Sequence, residues 1–154
     1  MLKRVKSPSS WILGSLFLLT ACDPTSVETE IPTVQTMFER WQQQSQHYEY
    51  TFQQSCFCLI DYTRPIAITV TDGRIVNARY AENGTAVSDD FRADLNTISE
   101  IYLRLLDIES QNPATFDVEY HAEHHYPIKV FIDIDERMAD EELQWELSNF
   151  RRLN

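Results

Sequence analysis

Pro65-Ile-Ala-Ile-Thr-Val70, Asp72-Gly73 and Arg74-Ile-Val-Asn-Ala-Arg-Tyr80 are the three consecutive pieces of sequence that decide the fold class of this chain. In the first, apolar side chains recur at every second position, as they do on a strand with one buried face. Asp-Gly is a strong signal for a two-residue turn whose central residues need positive φ, and the third piece supplies the returning strand. A β-hairpin is therefore predicted. Immediately upstream, Tyr48, Tyr50 and Phe52 alternate with Glu49, Thr51 and Gln53, which predicts one more half-buried strand.

The period changes further out. Pro32-Thr33 opens a helical pattern in which Val34, Met37, Phe38 and Trp41 form one apolar stripe, and the pattern fades into Gln42-Gln43-Gln44-Ser45-Gln46. Downstream of the hairpin a second helix is predicted. Ser88 is its N-cap, Asp89, Asp90 and Asp94 lie near its positive end, and Phe91, Leu95, Ile98, Tyr102, Leu105 and Leu106 form its stripe. It should end before Asn112-Pro113. Strands are predicted at Thr115 to Tyr120, Ile128 to Ile134 and Leu143 to Phe150. Pro127-Ile-Lys-Val-Phe-Ile132 echoes Pro65-Ile-Ala-Ile-Thr-Val70, either as an internal repeat or as shared strand composition. The expected fold is α+β: an antiparallel β-sheet with two helices packed on one face, in the order helix, strands, helix, strands.

The N-terminus has another character. Lys3, Arg4 and Lys6 precede the apolar run Trp11 to Leu19 and then small residues, the order of a secretory signal. A membrane span needs about 20 predominantly apolar residues, and this run meets Asp23 and Pro24 too early. Leu19-Thr20-Ala21-Cys22 resembles the lipobox of bacterial lipoproteins, which implies lipidation of Cys22 and cleavage before it. Two or more acyl chains anchor a protein stably where one does not. Asp23 resembles the residue that keeps enteric lipoproteins in the inner membrane. The expected organisation is a signal peptide over 1–21, a polar tether over 22–31 and a single domain over 32–154. The expected location is a bacterial membrane, facing the periplasm, with the inner membrane favoured by Asp23.

Removal of residues 1–21 takes away three of the 13 basic residues and none of the 24 acidic ones, leaving a net charge of −14. That excludes nucleic acid as a natural partner, since such binding rests on neutralising phosphates with Lys and Arg. It equally disfavours adhesion of the folded part to anionic headgroups. The membrane is met through the lipid on Cys22, and an envelope protein is the expected partner.

Cys56 and Cys58 are the cysteines left once Cys22 is acylated, and an oxidising compartment favours a bridge between them. Regular strand geometry resists it. Residues two apart on a strand have Cα atoms about 6.6 Å apart with parallel side chains, so a bridge needs a bend at Phe57 and should be comparatively easy to reduce. Three readings stay open: a local disulfide, two buried free thiols, or a functional redox or metal-binding pair. A thioredoxin-like site is disfavoured, because that motif has two residues between its cysteines.

His121, His124 and His125, with Glu119 and Glu123, would make a soft metal set only together with the thiols. A solvated polar loop is the preferred reading. Asp133-Ile-Asp135 opens like a calcium loop but has Met138 where glycine is required and Gln144 where glutamate should close it. Asp135, Glu136, Asp140, Glu141 and Glu142 are read as a solvated acidic turn, and Asn83-Gly84-Thr85 as a turn. With three glycines in the chain there is no phosphate-cradling loop, and no nucleophile elbow is present.

Tyr48-Glu-Tyr-Thr-Phe52, Ser55-Cys-Phe-Cys58, Val70-Thr-Asp-Gly73, Tyr126-Pro127 before an alternating strand, and Asp140-Glu-Glu142 before a last strand together resemble the lipoproteins grouped as domain of unknown function 6174. The resemblance covers most of residues 33–152. It implies a small envelope domain, supplies no activity, and implies glycine where this chain has His125. The leading expectation is a noncatalytic envelope lipoprotein whose sheet or acidic edge contacts another protein, with no cofactor, metal or catalytic residue. The rival is a thiol-redox or metal-handling periplasmic protein using Cys56 and Cys58, with His47 or the later histidines. A hydrolytic enzyme is the third reading.

Overall fold

The structure is a computed structural model that describes residues 31–138 and 140–153. The predicted signal peptide, Cys22, Asp23 and the predicted tether up to residue 30 lie outside the described residues.

Helix α1 spans Val34–Trp41. Thr33 caps it: its side-chain oxygen accepts from the Thr36 amide at 3.2 Å, and the Thr36 hydroxyl oxygen accepts from the Thr33 amide at 3.1 Å. Strand β1, Tyr48–Ser55, continues two residues beyond the predicted alternation, which ends at Gln53. A four-residue helix α2, Ile60–Thr63, leads into β2, Ile66–Thr71, and β3, Arg74–Tyr80. Asp72 and Gly73 take φ of 51° and 69°, as the hairpin reading requires.

Two helices were expected, and among the described residues there are four. Besides α2, the predicted helix from Ser88 to Gln111 is interrupted. Helix α3, Asp89–Asp94, is capped by Ser88, whose side chain accepts from the Phe91 amide at 3.2 Å. Helix α4, Ile98–Ser110, starts afresh at Thr97. Thr97 and Glu100 form a reciprocal cap, with the Thr97 amide donating to Glu100 Oε2 at 2.7 Å and the Glu100 amide to Thr97 Oγ1 at 3.3 Å. That cap satisfies the amides of a new first turn, so the backbone leaves the helix at Leu95, whose ψ is 151°. Strands β4, Thr115–Tyr120, β5, Pro127–Asp133, and β6, Leu143–Arg152, complete the chain. Relative to prediction, β5 starts and ends one residue earlier and β6 runs two residues longer.

The six strands form one antiparallel sheet in the order β3-β2-β1-β6-β5-β4. β1 is central and β4 lies at an edge, three positions away, so the two run in opposite senses. The echo between Pro65–Val70 and Pro127–Ile132 therefore joins the middle strands of two meanders that do not superimpose in chain order.

Burial falls on one face: Tyr48 and Tyr50, Ile66, Ile68 and Val70, Val130 and Ile132, Trp145 and Leu147 alternate with more exposed neighbours. Helices α1 and α4 contact that face, and Phe91 of α3 belongs to the same buried cluster. Trp41 lies edge-on to Tyr48, the Tyr48 hydroxyl accepts from the Ile98 amide at 3.1 Å, and the Tyr50 hydroxyl donates to the Asn96 carbonyl. A register shift between Glu49 and Thr51 accommodates an extra residue in β6 at Asn149, which has φ of 53°. The bulge turns Phe150 inward, within 5.8 Å of Trp41 and 5.7 Å of Tyr48 between ring centroids.

His125 occupies the left-handed region at φ of 57° in the β4–β5 turn. The position for which the resemblance implies glycine keeps the conformation that glycine takes without strain. His125→Gly is expected to raise folding stability by about 0.5–1 kcal/mol, the left-handed penalty less the entropy that glycine adds to the unfolded chain. Urea unfolding checks this; a lowered midpoint would mean that the imidazole contributes more than its backbone costs.

Candidate functional site

β1 pairs with β2 only as far as Phe52, opposite Ile66, but with β6 as far as Ser55, opposite Gln144. Its last residues therefore project beyond β2. There the chain folds back on itself: the Cys58 amide donates to the Cys56 carbonyl at 2.9 Å, closing a tight turn around Phe57. The turn draws the two Cα atoms to 5.3 Å, and the sulfurs lie at disulfide distance. The bend at Phe57 that a bridge requires is present. The alternative of two buried thiols does not hold, since Cys56 is half-buried and Cys58 exposed.

The consequence falls on the residue between the cysteines. Phe57 is 84% exposed, and the next apolar residues, Leu59 and Ile60, are 75% and 78% exposed. The return of this loop is fastened. Tyr62 packs on Phe91 with ring centroids 4.4 Å apart, Gln53 Nε2 donates to the Thr63 carbonyl at 3.2 Å, and the Arg64 guanidinium lies 3.6 Å from the centre of the Tyr80 ring. The exposed apolar residues thus sit on a loop held at both ends.

Beside Phe57 is a concavity of about 430 Å³. Ser55, Cys56 and Phe57 line it from β1 and the turn, Phe131 and Gln144 from β5 and β6, and Asp140 and Glu142 from the β5–β6 connection. Phe131 and Gln144 are paired across the sheet, and Gln144 faces Ser55 on its other side, so three strands bring these residues together. Asp140 has φ of 76°. The one arginine of the connection is engaged elsewhere: Arg137 donates to Asp135 from Nε at 3.0 Å and from Nη2 at 2.9 Å, holding that carboxyl below its ordinary range. Asp140 and Glu142 form no ion pair among the described residues. The site therefore combines exposed aromatic surface with uncompensated negative charge.

The negative charge bears on the reactivity of the sulfurs. Carboxylates around a disulfide repel an attacking thiolate and disfavour the leaving one. The bridge also does little for the fold as a whole. It closes a loop of three residues, worth about 1.6 kcal/mol in the chain-entropy relation. A Cys56→Ser, Cys58→Ser double variant is accordingly expected to stay folded and to lose about 1–2 kcal/mol in urea unfolding. A loss above about 4 kcal/mol would make the bridge a global staple.

The histidines lie at the other end of the sheet, separated from the cysteines by the eight residues of β1, roughly 23 Å of strand. His121 Nδ1 accepts from the amides of Glu123 and His124, each at 3.2 Å, so its ring closes the β4–β5 turn. His124 packs on Phe150 and His121 on Tyr126 at about 5 Å, and burial lowers the His124 pKa. His47 is 3.4 Å from Asp72. Among the described residues no group of three or more His, Cys, Asp or Glu side chains could hold a metal ion. Asn83 accepts from the Thr85 amide at 2.9 Å, a turn as expected.

Sequence reasoning named Cys56, Cys58, Asp140 and Glu142 but missed Phe57, Leu59, Ile60, Phe131 and Gln144 as surface. The run Phe57 to Ile60 carried a signal, three apolar residues in four positions with no strand alternation. Cys22 lies outside the described residues.

The model of a family described as "Family of unknown function (DUF6174)" matches residues 33–152, from the cap of α1 to the end of β6. No curated protein and no solved structure matches the chain.

Proposed function

Because the chain belongs to this family of unknown function, DUF6174, we propose that it acts as a noncatalytic interaction domain, anchored by lipid on Cys22 to a bacterial membrane and facing the periplasm. The observation that carries the reading is the Phe57 tip: exposed apolar side chains on a fastened, bridged loop beside a concavity with unpaired carboxylates. Exposed apolar residues scattered singly need no explanation, but a contiguous group held rigidly at one end of a domain does. The N-terminal charge pattern and the lipobox-like Leu19 to Cys22 support the address, and Asp23 favours the inner membrane.

The test is photocrosslinking in living cells, with a photoreactive residue at position 57 or 59 and controls at Val76 and Leu103, which are also exposed. A discrete protein adduct from any of these positions supports an interaction domain. Absence of adducts from all four, together with turnover of a small molecule by the purified protein, would overturn the reading.

A second reading, thiol exchange, is favoured by one observation: the bridged sulfurs lie in an exposed loop. Its test is the phenotype of the serine double variant. Loss of function on replacing the cysteines, with Phe57→Ser harmless, would select it over docking.

A further inference from the structure

We infer that the Phe57 tip docks a segment of a partner protein that carries lysine or arginine beside an apolar side chain. The inference rests on the interaction reading above and names its site and the chemistry of its ligand. Three features of the tip point the same way. Phe57, Leu59 and Ile60 present apolar surface on both sides of Cys58. The bridge and the turn around Phe57 fix that surface before any partner arrives, and pre-organisation spares the ordering cost that weakens flexible loops. The adjoining concavity has Phe131 in its lining and Asp140 and Glu142 on one side, with Arg137 already held by Asp135. A cation next to an apolar anchor satisfies both halves of the site.

Other occupants fit less well. A second copy of this chain would bring Asp140 and Glu142 against the same carboxylates. A bilayer surface would accept Phe57, Leu59 and Ile60, but Asp140 and Glu142 would then approach the headgroup region, whose surface potential is negative where anionic lipids are present.

The test uses the full chain in nanodiscs of phosphatidylcholine and two dye-labelled peptides, one of lysine and leucine and one of glutamate and leucine with the same apolar content. Fluorescence anisotropy should show binding of the lysine peptide only, weakening as salt is raised. Phe57→Ser should weaken it at least tenfold. Asp140→Asn with Glu142→Gln should weaken it and flatten its salt dependence, whereas Val76→Ser should leave it unchanged. All four side chains are exposed, so far-UV circular dichroism should not change. Equal binding by Phe57→Ser and the unaltered chain, or equal binding of both peptides, overturns the inference. So does vesicle binding of the non-lipidated Cys22→Ser chain that is lost with Phe57→Ser, which would make the tip a membrane contact. Failure here is distinguishable from failure of the interaction reading. Adducts from position 76 or 103 but not from 57 or 59 would leave the interaction domain standing and remove this site from it.

Discussion

Raising the pH from 8 to 11 is expected to remove about 4 kcal/mol of folding stability, about 3 of it above pH 10. Tyr48, Tyr50 and Tyr102 are fully buried at the centre of the molecule, and burial is the largest cause that raises each phenol above its ordinary pKa. In the unfolded chain the same phenols titrate near 10. Above that pH the unfolded state releases protons that the folded state retains, so the folded state loses ground. The contribution is complete below the unfolded value and disappears as pH climbs toward the raised folded values. At pH 11 each buried phenol costs about 1.4 kcal/mol, and three cost about 4. Tyrosine dominates this range, because Lys129 is the one lysine beyond residue 21 and arginine keeps its charge throughout; Tyr120 and Tyr126, also raised by burial, add to the loss in the same direction. Urea unfolding followed by circular dichroism at successive pH values gives the curve. A stability flat to pH 11 would mean that the three hydroxyls are hydrated, which the bonds to the Ile98 amide and to the carbonyls of Asn96 and His125 contradict.

Trp41→Ala is expected to cost about 3–5 kcal/mol, the range for emptying a large aromatic site in a core. Trp41 has no exposed surface. Its indole N–H donates to Ser99 Oγ at 3.1 Å, and its ring lies edge-on to Tyr48 and Phe150 at 5.2 and 5.8 Å. It joins the end of α1 to the start of α4 and to the two central strands. An eight-residue helix has little stability alone, so α1 should lose its order before the sheet does. Trp41→Phe retains most of the packing and loses the hydrogen bond, at about 1–2 kcal/mol. Urea unfolding measures both, and a cost for Trp41→Ala below about 1 kcal/mol would mean that α1 is not part of the cooperative unit.

Much of this architecture is legible in single residues. Alternation marks β1, β2 and β5, Asp72-Gly73 marks its turn and with it the returning strand β3, and Ser88 marks a cap. The break before α4 was also written in the chain, as Thr97-Ile-Ser-Glu100, but the stripe Phe91, Leu95, Ile98, Tyr102 runs across it at helical spacing and hides it. Strand order is not local: β1 pairs with β6 about a hundred residues away, and periodicity says nothing of partners. The bulge at Asn149 is equally silent, because alternation alone would turn Phe150 outward. At the site, the spacing of Cys56 and Cys58 raised the right question about a bend. The answer lay in the three-dimensional turn, which determines that Phe57 faces solvent. Phe131 and Gln144 join it only through the β5–β6–β1 pairing.

The most direct test of the account is the intact mass of the protein extracted from membranes and denatured in a thiol-alkylating reagent, with and without prior reduction. The account predicts a chain that begins at Cys22, carries the mass of its lipid, and gains two alkyl groups only after reduction. A chain that retains Met1 without lipid, or one that alkylates at Cys56 and Cys58 without reduction, would contradict it.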